Sequence, residues 1–341
     1  MIPKTIEQPV AAPLPVDTRL GRYQLTRVLS QDNLAILYEA QDTSLQRAVT
    51  IKEYMPAQLA TRSEGSIVYP FTSRHAKTFE LGRQSFVGEA RLLAQLRHPA
   101  LLEVLHFWEQ NGTAYWATPC YEGRTLQQVI DKQGSLITRQ WLQQTISPLL
   151  DALEHMHAAD CYHRDVSADN ILILNDGRAL LLDLGTVRRA VGDSEQALTV
   201  MLKPGYAPIE QYLNDPTMRH GPWTDIYAIG ACIYACMQGY PPNDAPRRIE
   251  KDRLSLSLSR LRGVYSDNLI EVVEWCMALD PLSRPQSVFA LQKELSREGE
   301  RRYTKLTVAE KMRLQLDTLV SDAKKNVQKL GEATDLGVKP K

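Results

Sequence analysis

Two short segments carry residues whose types and order suit chemistry. The first is Cys161-Tyr162-His163-Arg164-Asp165-Val166-Ser167-Ala168-Asp169-Asn170, and the second is Asp183-Leu184-Gly185. Asp165 is a carboxylate able to orient a hydroxyl and accept its proton, and Asn170, five residues on, offers a neutral oxygen to a metal ion. Asp183 follows the apolar run 179–182, which places it at a strand end with a permissive glycine behind it. Asn170 and Asp183 together supply hard oxygen ligands of the kind magnesium requires.

These groups need a scaffold, and the composition allows one. With 341 residues, 43% of them apolar, the chain can bury one large or two modest cores. Forty Lys and Arg balance forty Asp and Glu, so no global field points to nucleic acid, and any anionic ligand must be gripped locally. Five cysteines, an odd number without a regular framework, indicate reduced thiols in a reducing compartment. Cys232 and Cys236, one helical turn apart in an apolar run, read as packing thiols. No basic stretch precedes an apolar core at the N-terminus, and the most apolar segment, 226–237, is too short to span a bilayer. The expected location is cytoplasmic, with no membrane segment and no nucleic-acid partner.

Residues 1–19 carry Pro3, Pro9, Pro13 and Pro15 and read as a flexible leader. Residues 23–29, 35–40 and 48–53 are strand-like runs separated by polar turns, which predicts a small antiparallel sheet. Phe86, Ala90, Leu93 and Leu96 then recur at helical spacing before Pro99. Residues 101–108 and 114–118 flank Gln110-Asn111-Gly112, a hairpin signal. After Gly123 the character becomes helical, over 126–130, 141–158, 223–238 and 268–278, around short strands at 171–174 and 179–182. A hinge is expected at residues 119–123.

In order and spacing these motifs resemble the eukaryotic-like, bacterial-type serine/threonine protein kinase family, from roughly Leu20 to Leu295. The resemblance implies an α+β, two-lobed protein kinase-like fold: a small antiparallel-sheet N-lobe with one main helix over 20–118, and a larger helical C-lobe over 124–296. It implies ATP and Mg2+ as cofactors and serine or threonine hydroxyls of proteins as acceptors. Val49-Thr50-Ile51-Lys52 looks like the family's third-strand lysine motif, which makes Lys52 the α/β-phosphate contact and Glu89 its helix partner. Asp165 becomes the base that positions the hydroxyl, and Asn170 and Asp183 the metal ligands. Thr118 falls at the gatekeeper position, so backbone groups of Pro119 and Tyr121 would bond adenine, with Leu29, Leu37 and Leu172 around it. Glu210 matches the end of the activation segment, Arg284 its buried ion-pair partner, and Asp225 the helix-start aspartate that braces the catalytic loop. His163 and Arg164 belong to the same regulatory frame, and Arg164 would answer a phosphate on Ser194 or Thr199, so autophosphorylation is expected there.

The sequence also departs from the family pattern. Where a G-x-G-x-x-G loop should cover the phosphates, Ser30, Asp32 and Ala35 replace the glycines. Side chains there hinder backbone approach and Asp32 adds like charge, so weak ATP affinity is expected. Ser167 stands where a lysine usually meets the γ-phosphate, and Lys203 where a threonine is usual; Lys203 is expected to restore the missing charge. These departures also support the alternative of a pseudokinase, a nucleotide-binding scaffold, with a small-molecule kinase as a third reading. Residues 54–75 resemble an insertion between Lys52 and Glu89. Residues 297–341 form a C-terminal extension whose stretch 307–332 reads as a charged helix suited to a partner or a dimer contact.

Overall fold

The computed structural model describes residues 12–63, 65–133, 137–185, 202–213 and 218–297. Ser194, Thr199 and the expected helix over 307–332 lie outside the described residues, as does the leader before Ala12. The chain divides into two compact units between Leu202 and Lys203.

The first unit is built on a six-stranded sheet in the order β1-β2-β3-β4-β8-β7. Its strands are β1 (Arg19–Leu20), β2 (Tyr23–Gln31), β3 (Ala35–Asp42), β4 (Arg47–Tyr54), β7 (His106–Gln110) and β8 (Thr113–Pro119). All of its pairings are antiparallel. The three predicted strands of the first hairpins form and run slightly longer than the apolar alternation alone marks. Asn111 and Gly112 both take positive φ, 54° and 71°, the geometry that the Asn-Gly signal calls for between β7 and β8. Residues 101–105, expected as strand, stay outside it. The Leu101 backbone instead makes an isolated bridge to Leu181, and Leu181 N donates to Ala100 O at 2.8 Å.

Helix α1 (Ser73–Gln95) packs on this sheet through Phe79, Phe86, Val87, Ala90 and Leu93. It starts well before the predicted apolar repeat, because its first half buries little beyond Thr78 and Phe79 and so leaves no stripe in the sequence. Phe79 and Phe86 meet the ring of Tyr54 at 5.2 and 5.8 Å. The inserted stretch folds as a two-stranded ribbon, β5 (Ala60–Arg62) with β6 (Val68–Pro70). Val68 N donates to Asn111 O at 2.8 Å, and a Cβ on Gly112 would fall 2.4 Å from Val68 O, so the ribbon lies tight on the β7–β8 turn.

The rest of the unit comprises β9 (Gly123–Thr125), α2 (Leu126–Gln133), α3 (Arg139–His157), β10 (Ile171–Leu174) and β11 (Ala179–Leu181). The three strands form a second sheet in the order β11-β10-β9. Helix α3 starts on Thr138, whose hydroxyl accepts from Trp141 N, and buries Leu142, Ile146, Leu149, Leu153 and Met156 at helical spacing.

The second unit is helical: α4 (Ile209–Tyr212), α5 (Pro222–Gln238), α6 (Ala245–Glu250), α7 (Leu254–Ser259), α8 (Asp267–Cys276) and α9 (Val288–Leu295). Helix α5 is apolar on nearly every side and is buried accordingly, with Cys232 and Cys236 as reduced thiols in its packing. Burial pushes the Cys236 thiol up to about 12, so it is inert at neutral pH. The whole is an α+β fold, sheet-rich first and helical after. Among the described residues no helix is long and apolar enough to cross a membrane.

Candidate functional site

Strand β4 presents Lys52 opposite Leu37 of β3 and Trp116 of β8. The ammonium lies 5.1 Å over the Trp116 ring and 2.5 Å from Asp183 Oδ1. Burial pulls its pKa down, but Asp183, then Glu89, and last Asp32 more than offset that pull, so Lys52 is held in its charged form. Glu89 is buried on α1, and its Oε1 accepts from Leu184 N at 3.2 Å. The helix carboxylate therefore acts on the lysine and on the backbone beside Asp183 together.

The loop after α3 is fixed by its own side chains. His163 is fully buried; its Nδ1 accepts from Asp165 N at 3.3 Å, which leaves Nε2 to donate to Leu182 O at 2.7 Å. One imidazole thus ties the residue before Asp183 to Asp165. Asn170 Nδ2 donates to both the backbone O and Oδ2 of Asp165, each at 2.8 Å. Gly185 has φ 62°, and a Cβ there would fall 2.7 Å from the Asp165 Cβ, so only glycine lets the two segments meet. Arg164 also takes a positive φ, 60°, next to the carboxylate, and its guanidinium lies 5.7 Å from the Tyr162 ring centre. A non-glycine residue held there costs about 1–3 kcal/mol, which the surrounding bonds must offset.

Asp32, Lys52, Glu89, Asp165, Asp183 and Gly185 line one cavity of about 30 Å³. Asn170 and Asp183 offer hard oxygens of the kind a divalent cation takes, and among the described residues no group of three or more His, Cys, Asp or Glu could hold a metal ion. The residues expected around adenine are not part of this cavity. Leu29 is exposed, Leu172 pairs with Thr125 and Leu180, and the Thr118 hydroxyl donates to Pro119 O at 3.1 Å. Pro119 and Tyr121 line a separate cavity of about 550 Å³ with Leu102, Leu174 and Arg178. Ser167 is fully buried, with no hydrogen-bond partner for its hydroxyl among the described residues.

In the second unit, Arg284 meets Glu210 through two bonds of 2.7 and 3.0 Å, with both side chains fully buried. Thr224 Oγ1 donates to the same carboxylate at 3.0 Å, and the guanidinium also reaches Ala278 O and Leu279 O. Such a pair holds because its remaining donors and acceptors are satisfied. Asp225 is buried in the first turn of α5. Lys203 is half-buried at the start of this unit, and its carbonyl accepts from Tyr206 N and Ala207 N.

Sequence reasoning missed a buried cluster around Glu53, the neighbour of Lys52. Glu53 accepts from the Tyr38 and Tyr115 hydroxyls at 2.7 and 2.6 Å and from Arg62 Nη2 at 2.6 Å. Arg62 belongs to the inserted ribbon and also donates to Ala12 O, while Leu14 N donates to Tyr38 Oη. An acidic residue closing the strand run, next to Lys52, was the available signal.

The protein kinase domain family model matches residues 58–295. The chain belongs to that family. This kinase domain is 30% identical over 236 residues to the probable serine/threonine-protein kinase SCO3848 of Streptomyces coelicolor, covering 66% of this chain and 32% of the relative. It is 29% identical to serine/threonine-protein kinase PknA of Mycobacterium tuberculosis, covering 79% of this chain and 59% of that protein. The chain thus spans about a third of the length of the first of these relatives. Among solved structures it matches PpkA-294 in its apo form with a TM-score of 0.77 and 38% identity, over 83% of this chain and 99% of that one. The PknI kinase domain of M. tuberculosis matches at a TM-score of 0.58 and 20% identity, over 83% of this chain and all of that one, which speaks for the fold. The family match begins after Lys52.

Proposed function

We propose that this chain transfers the γ-phosphoryl group of ATP to serine or threonine hydroxyls of proteins. The observation that carries the reading is the convergence of Lys52, Glu89, Asp165 and Asp183 on one cavity, with Asn170 bonded to Asp165. Asp165 orients the acceptor hydroxyl and takes its proton as the new phosphorus–oxygen bond forms and the bond from the γ-phosphorus to the β-phosphate oxygen breaks, with ADP leaving. Asn170 and His163 hold Asp165 in place from its carboxylate and its backbone. Lys52, kept cationic by Asp183 and Glu89, grips the α- and β-phosphates. Asn170 and Asp183 would hold Mg2+, which offsets the charge that builds on the transferred group. Leu29, Leu37, Thr118 and Leu172 with the backbone of Pro119 and Tyr121 would enclose the base. Lys203→Ala is expected to lower kcat. The buried reduced thiols Cys232, Cys236 and Cys276 support a reducing, cytoplasmic setting for the domain.

Incubation with γ-labelled ATP and Mg2+ tests the reading. Label on protein is expected with the natural chain, reduced about 10²–10⁴-fold by Asp165→Ala. Label in neither would favour a non-catalytic nucleotide-binding domain, and label on a small molecule alone would favour a different kinase class.

A further inference from the structure

The turn between β2 and β3 sits where a glycine-rich loop would present bare backbone N–H groups to phosphate. Here those groups are already engaged. Asp32 Oδ1 accepts from Leu34 N at 2.7 Å and from Ala35 N at 2.8 Å, while Asp32 N donates to Ala35 O at 3.0 Å. One carboxylate oxygen thus takes two successive amides as a phosphate oxygen would. Asp32 lines the same small cavity as Lys52, Asp165 and Asp183, and it is among the charges acting on the Lys52 ammonium.

The turn is also tied from outside. Met55 N donates to Leu34 O at 2.8 Å, and Ala57 N donates to Asn33 O at 3.0 Å. Both donors open the stretch that leads into the inserted ribbon, and Met55 is fully buried. A turn held at both carbonyls and capped from within cannot present those amides by a small shift.

We propose that Asp32 is a built-in anion that occupies the phosphate-binding amides of this domain and sets its affinity for the phosphates of a nucleotide, with residues 55–57 holding the turn in that state. The proposal rests on the nucleotide-binding reading above and deepens it: the lost glycines are replaced by an internal competitor rather than by nothing. Phosphate and the Asp32 carboxylate are alternatives at Leu34 N and Ala35 N, and they repel each other in the cavity. Asp32→Asn keeps an acceptor for the two amides and removes the charge; Asp32→Ala removes both.

Calorimetric titration of the natural chain and both variants with ATP and with adenosine separates the phosphate contribution from that of the base. ATP is expected to bind about fivefold to tenfold tighter to Asp32→Asn, and tighter again to Asp32→Ala, while the Kd for adenosine stays where it is. ATP affinity that is unchanged or weaker in both variants, or that moves in parallel with adenosine, overturns the proposal. The label-transfer assay run on the same preparations keeps the two readings apart. Transfer with no change in the ATP-to-adenosine ratio removes the role of Asp32 and leaves the kinase reading standing. A changed ratio without transfer keeps the role of Asp32 and removes the kinase reading.

Discussion

Residues 163–170 and the turn at residues 32–35 contribute to the same small cavity but use their backbone in opposite ways. In the first, buried side chains hold the chain: His163 fixes the Asp165 amide, Asn170 fixes its carbonyl and carboxylate, and Gly185 leaves the space in which Asp165 packs. The carboxylate is positioned by its neighbours. In the second, a side chain holds the amides: Asp32 takes the N–H groups that would otherwise meet a ligand. One region is preorganised for the group it handles, and the other is preorganised against it. In the proposed reading, positioning of the acceptor and affinity for phosphate depend on different parts of the chain around one cavity.

The largest expected effect lies on the first side of this comparison. Asp165→Asn keeps the size of the group and removes the base, so kcat should fall about 10²–10⁴-fold with ATP binding retained, as read by steady-state kinetics with a titration alongside. On the other side, Arg62→Ala would leave Glu53 buried beside Lys52 without its ion-pair partner. Both side chains of that pair are almost wholly buried, so the loss should be about 3 kcal/mol, read as a lower urea midpoint. An unchanged midpoint would show that the inserted ribbon does not hold β4. Gly185→Ala should cost about 1–3 kcal/mol and lower kcat, since the left-handed backbone and the Asp165 Cβ both resist a methyl group. The smallest effect is local: the amides of Leu34 and Ala35 should exchange slowly with solvent and speed up in Asp32→Ala, without change at Asn170 N, which donates to Ser167 O.

Much of the first region was legible in the sequence. Type and spacing single out Asp165, Asn170 and Asp183, with Asp165 and Asp183 on one cavity and Asn170 bonded to Asp165, and alternation marks the strands at 23–29, 35–40 and 48–53, because side-chain chemistry and burial both leave marks on residue choice. The second region was legible only as a loss. Ser30, Asp32 and Ala35 showed that glycines were missing, and Asp32 read as repulsion; that its carboxylate would turn back onto two amides depends on turn geometry that residue types do not encode uniquely. The insert behaved similarly. Pro56 and Gly65 marked turns, but the bonds from Met55 and Ala57 to the phosphate turn, and the Arg62–Glu53 pair, join residues whose contact no periodicity signals. The early start of α1 escaped for a plainer reason, since its first half is mostly polar.

The division of labour between the two regions is tested most directly by KM for ATP and kcat measured in one assay for Asp32→Asn and Asp165→Asn. The account predicts that the first change falls on KM, lowering it several-fold, and the second on kcat. A KM for ATP that Asp32→Asn leaves unmoved or raises, or a collapse of kcat in Asp32→Asn comparable with that in Asp165→Asn, would contradict it.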